Sequence, residues 1–84
     1  MLLDKGLSAL GKNGECIATD LKSARWKVLL ATLLKQKSSV TNAWLTQQLN
    51  MGTPDAVSRY VSEFKQSEGL LDLEYLNLTT KVMK

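Results

Sequence analysis

An all-α fold, a small helical bundle containing a helix-turn-helix, is predicted by three observations. Apolar residues recur at spacings of three and four through most of the chain. Helix-capping residues stand just before several of these runs, and no clear hairpin turn appears in the tail after Phe64. At 84 residues the chain is one domain, 1–84, near the lower limit for a self-sufficient core, so its stability is expected to be about 3 to 5 kcal/mol.

Pattern determines residues 1–18 least. Gly6, Gly11 and Gly14 interrupt short apolar pairs, which predicts a brief helix over Leu2 to Leu10 followed by a loop. A longer helix is then expected to begin at Thr19 or Asp20 and run to about Lys37. Its core stripe would be Leu21, Ala24, Val28, Ala31 and Leu34 or Lys35, widened by Leu29, Leu30 and Leu33. Trp26 and Trp44 are read as packing residues, since a large aromatic supplies much of the buried area in a small helical domain.

Residues 41–66 carry the helix-turn-helix pattern. Thr41 can cap a helix whose apolar positions are Ala43, Trp44, Leu45 and Leu49, leaving Gln47 and Gln48 outside. Gly52 supplies the positive φ at which the chain reverses. Thr53 followed by Pro54 starts the second helix: threonine caps, proline gives up an amide that had no partner, and Asp55 suits the positive helix end. Val57, Tyr60, Val61 and Phe64 form its stripe, and Asp55, Ser58, Arg59, Ser62 and Lys65 its outer side. Such a face suits a major groove, where serine can bond bases or phosphate and arginine can grip guanine through two bonds. It also suits plain water.

The tail admits two readings. Leu71, Leu73 and Tyr75 alternate as a wing strand would, whereas Leu73, Leu76 and Thr80 fit a helix capped by Asp72 and preceded by a stop at Gly69. The short helix is favoured because of the missing hairpin turn.

Composition narrows the function. Hydrophobic residues at 44% and charged residues at 23% are ordinary globular usage, which disfavours a disordered chain. The longest apolar stretch, residues 28–34, is far short of the roughly 20 residues that span a bilayer. The amino end lacks a basic segment followed by a long apolar run, so a cytoplasmic location is expected. Cys16 is the lone cysteine and histidine is absent, which removes an internal disulfide and the usual zinc and thiol-catalysis partners. The carboxylates show no paired or metal-ligand motif and no glycine-rich phosphate loop occurs, so neither an enzyme nor a cofactor is expected.

The net charge of +3 is modest, yet Lys22, Arg25, Lys27, Lys35 and Lys37 share a segment whose acid is Asp20. On a helix these cations could lie against a phosphate backbone, or simply face solvent.

The stretch KSARWKVLLATLLKQKSSVTNAWLTQQLNMGTPDAVSRYV resembles the helical carboxyl-terminal region of the transposases associated with repetitive extragenic palindromes, over roughly residues 19–64. The family shows a lysine and an alanine in a helix, a Thr-Thr-Val type cap, a Trp-Ile pair, Leu-x-Met-Gly and a Ser-Val ending. The matching stretches here are residues 27–34, 38–40, 44–45, 49–52 and 56–61. The resemblance implies a bacterial-type DNA-binding region, with nucleic-acid contacts at Gln47, Gln48, Thr53, Ser58 and Arg59. It does not extend to the family's nuclease, which uses a histidine-hydrophobic-histidine metal motif and a tyrosine nucleophile; without histidine, Tyr60 and Tyr75 are not nucleophiles.

The expected partner is double-stranded DNA, read by residues 55–62 and held by Lys22, Arg25, Lys27, Lys35 and Lys37, with a second copy or a larger transposase-like protein adding affinity. The alternative is a protein interaction module in which Leu70, Leu71, Leu73, Leu76 and Leu78 form an exposed seam.

Overall fold

A computed structural model describes residues 2–22, 24–67 and 72–82. Among them six helices and no strands occur: α1 (Leu2–Leu10), α2 (Gly14–Thr19), α3 (Arg25–Lys37), α4 (Asn42–Leu49), α5 (Pro54–Gln66) and α6 (Leu73–Val82). The all-α class and the helical tail are as the spacing predicts. None of these helices is long and apolar enough to cross a membrane.

α3 is the axis of the molecule. Trp26, Leu29, Leu30, Ala31, Leu33 and Leu34 are all buried, because α1, α4, α5 and α6 pack around it. α1 brings Leu3 and Gly6 to this core and is closed by the paired hydrogen bonds Gly11 N–H to Ser8 O and Lys12 N–H to Leu7 O, which satisfy its last carbonyls.

The helix expected from Thr19 or Asp20 to Lys37 starts later, at Arg25, and the loop expected after α1 instead holds a helix of its own, α2, which ends at Thr19 and leaves a break between the two. In a continuous helix the Ile17 carbonyl would accept from residue 21 and the Asp20 carbonyl from residue 24. Here both accept from the Lys27 ammonium. The Asp20 carboxylate is also diverted from capping, since it accepts from Trp26 Nε1 at 2.8 Å and pairs with Lys12 at 3.8 Å. α2 is capped by Asn13, which accepts from the Cys16 amide, whereas α3 starts at Arg25 behind Ala24, which offers no side-chain cap. The break takes Leu21 out of the core stripe and leaves it 76% exposed.

α4 and α5 follow the sequence closely. Thr41 accepts from the Trp44 amide and Thr53 from the Ala56 amide, each at 3.1 Å, and Pro54 opens α5. The reversal involves a residue the pattern did not single out. Asn50 takes the left-handed conformation (φ 52°) at the end of α4, and Gly52 follows with φ 95°. Asparagine visits this region more readily than most side chains. Between them Met51 is fully buried and anchors the turn to the core. Val57 and Val61 of α5 are buried, with Tyr60 and Phe64 half-buried beside them; on α4, Ala43 is exposed, contrary to its expected place on the apolar side.

α6 is capped by Asp72, whose Oδ1 accepts from the Glu74 and Tyr75 amides, but it is rotated from the expected stripe. Leu73, Leu76 and Thr80 face outward; Tyr75, Leu78 and Val82, also at spacings of three and four, face the core. Two contacts select that face. Tyr75 meets the Phe64 ring edge-on, with centroids 5.7 Å apart, and Arg25 at the start of α3 binds both Asp72 and Glu74. The expected stop at Gly69 lies outside the described residues.

Candidate nucleic-acid interface

The outer side of α5 carries Asp55, Ser58, Arg59 and Ser62, all exposed. Their positions, three and four apart, put them along one flank of the helix opposite Val57 and Val61. Arg59 lies over the Tyr60 ring, 5.4 Å from its centre, and its Nε is 4.0 Å from Glu63 Oε1. Both partners of that ion pair are about two-thirds exposed, so it holds the guanidinium by only about 0.3 to 0.5 kcal/mol. A stronger acceptor could draw Arg59 away at small cost.

Thr53 is exposed at the amino end of α5. Its oxygen already accepts from the Ala56 amide, which leaves the hydroxyl proton free to donate outward. Gln47 and Gln48 are exposed on α4. Lys22 runs beside the turn between α4 and α5: a Cβ placed on Gly52 would sit 3.6 Å from Lys22 Cδ. The fold therefore brings an exposed ammonium chain from the α2–α3 loop to the amino end of α5. Lys37 is exposed in the last turn of α3.

The remaining cations expected to hold a phosphate backbone are otherwise engaged. Arg25 is committed to Asp72 and Glu74. Its hydrogen bond to Asp72 raises the guanidinium above its ordinary value. Burial on its own would raise the Asp72 carboxyl, but the hydrogen bond from Arg25, those from the Tyr75 and Glu74 amides and the charge of Arg25 together hold it below the usual range. Lys35 is half-buried and donates to Asn42 Oδ1 at 2.5 Å.

Lys27 is the plainest correction. It is fully buried, and its Nζ donates to the carbonyls of Ile17, Asp20 and Asn50 at 2.8, 3.2 and 3.4 Å. Burial pushes its pKa below the ordinary lysine value, opposed by the charge of Asp20 and assisted by that of Lys22. It cannot meet a phosphate. The signal was readable: once α3 begins at Arg25, Lys27 shares a face with Leu30, Ala31 and Leu34, all of them core residues.

The Leu-rich seam is also reduced. Leu78 is buried, Leu73 and Leu76 are 77% and 43% exposed, and Leu70 and Leu71 lie outside the described residues.

Compared with known proteins, the chain matches no family model, no curated protein and no solved structure. The class defined by the fold is a small all-α domain.

Proposed function

We propose that this domain binds double-stranded DNA through α4, the turn at residues 50–53 and α5, as a non-catalytic module of a bacterial, cytoplasmic transposase-tail-like or regulatory protein. The observation that carries the reading is the juxtaposition at the amino end of α5. An exposed hydroxyl donor on Thr53, the positive end of a capped helix and the Lys22 chain against Gly52 meet there, and the exposed flank of Ser58, Arg59 and Ser62 runs on from that end along α5. In this reading the α5 flank enters the major groove, Arg59 reads guanine, and Lys22, Lys37 and Thr53 hold phosphates. The resemblance to the transposase tails supports the same partner.

Arg25, Lys27 and Lys35 drop out of the backbone grip, which limits its strength. With Lys22 and Lys37 neutralising about two phosphates, affinity should fall about 12-fold between 50 and 200 mM salt. One bidentate arginine gives about 1 to 3 kcal/mol of base discrimination. Tight binding then needs a second module, either another copy or a larger transposase-like partner.

The experiment is a fluorescence-anisotropy titration with random and palindromic duplexes at those two salt concentrations. Salt-sensitive binding with a preferred duplex supports the reading, and no binding at the lower salt refutes it. A second reading, a protein interaction module, is favoured by the exposure of Leu73 and Leu76 on the outer face of α6. Sedimentation showing a strict monomer at all concentrations would remove the self-associating form of that reading.

A further inference from the structure

We infer that Lys27, which lies inside the protein, is a positioning residue for the proposed DNA-contacting surface, because its one ammonium group fixes the loop that carries Lys22 against the turn that leads into α5. This inference rests on the DNA reading for its functional consequence, and on the geometry alone for its structural part.

An ammonium has three donors. Those of Lys27 are matched by three carbonyls that come from two different helix ends: Ile17 and Asp20 at the carboxyl end of α2, and Asn50 at the carboxyl end of α4. Helix carboxyl ends expose unpaired carbonyls and the negative pole of the macrodipole, so two helices that end side by side would repel and strand their acceptors. A buried cation between them removes both difficulties. The Asn50 side chain adds a further link, Nδ2 donating to the Ile17 carbonyl at 3.4 Å. The Trp26 ring, centred 5.7 Å from Nζ, is held in turn by its bond to Asp20.

Each carbonyl stands within a few residues of the proposed surface. Asp20 is two residues before Lys22, and Asn50 is three before Thr53, with Gly52 between them lying against Lys22. Asn50 is also the non-glycine residue with positive φ among the described residues, a conformation that costs energy unless its surroundings hold it. The bond from Lys27 to its carbonyl, and the bond from its side chain to Ile17, do so.

The test compares wild type, Lys27→Met, Lys22→Ala and the double variant. Methionine keeps an unbranched chain, one atom shorter, and removes the donors. In the proposal, Lys27→Met lets Lys22 drift from the turn, so its salt dependence of DNA affinity flattens by about one phosphate, as for Lys22→Ala, and the double variant is no worse than either single one. A general loss of folded protein would instead lower the binding amplitude and leave the salt slope of the remaining folded fraction unchanged, and that result overturns the proposal. The nuclear Overhauser contact between the Lys22 side chain and the Gly52 Hα should be present in wild type and lost in Lys27→Met; its persistence also overturns the proposal, whether or not DNA binds. If Lys27→Met does not fold, the wild-type ammonium signal of Lys27 decides. Exchange with water much slower than that of exposed Lys5 supports the three-carbonyl cage, and equally fast exchange refutes it. Failure of wild type to bind any duplex would sink the DNA reading while these two measurements still judged the cage.

Discussion

Replacing Gly6 by alanine should destabilise the protein, although it adds a better helix former to the middle of α1. A Cβ built on Gly6 would lie 2.2 Å from Leu30 Cδ1, 3.4 Å from Cγ and 3.5 Å from Cδ2. Leu30 is fully buried in α3 and has no solvent to swing into. The helix-propensity gain from glycine to alanine is about 1 kcal/mol, and forcing one extra methyl group into a filled core costs about 1 to 3 kcal/mol. The net expectation is a loss of about 1 kcal/mol, which in a domain of this size lowers Tm by about 4 to 8 °C. Thermal unfolding followed by circular dichroism measures it directly. Gly6→Ala in a Leu30→Val background, where the clashing δ-carbons are gone, should show a much smaller loss, an interaction of about 1 kcal/mol in the double-mutant cycle. A Gly6→Ala protein that melts above wild type would refute the close approach of α1 to α3.

Three further outcomes are expected. Thr53→Ala removes the cap of α5 and should cost about 1 kcal/mol by urea denaturation, while weakening DNA binding at the same end of the helix. The Asp72 carboxyl is held below its ordinary value of 3.8, so its contribution is present above that value and is lost as pH falls through the lower, folded one. Asp72→Asn should accordingly be less stable than wild type at neutral pH and lose less stability on acidification, read from denaturation midpoints across the acid range. Arg59→Ala should relax the preference among duplexes with little change of fold, whereas Lys22→Ala should weaken binding to every duplex about equally, and anisotropy showing the same effect from both would contradict that division of labour.

What could be read from the sequence was local. Thr41, Thr53 and Pro54 act on amides within three residues of themselves, so the starts of α4 and α5 are written where they occur. The extent of α1 was equally legible. The break before α3 was not, because its cause is remote: the carbonyls of Ile17 and Asp20 are claimed by a lysine that follows them, and the third acceptor comes from Asn50, well downstream. The rotation of α6 has the same origin. Two leucine-containing stripes of equal periodicity competed, and Arg25 and Phe64, supplied by other helices, decided between them. For the candidate interface, the polar flank of α5 followed from helical period, but the fate of each cation did not. A lysine code letter is the same whether its ammonium meets solvent, as in Lys37, a side-chain amide, as in Lys35, or three backbone carbonyls, as in Lys27.

The packing of α1 against α6 has a consequence for the order in which the fold can assemble. α3, α4 and α5 are consecutive, and their mutual contacts close short loops. α1 and α6 are separated by the whole of that unit, so their pairing closes a much longer loop and must await both partners. During synthesis α1 emerges first, yet the helix it lies beside is the last of the six to be made. Until then, among the described residues, α3 alone shelters the remaining apolar residues of α1, and the face that meets α6 stays uncovered while α2 to α5 are made.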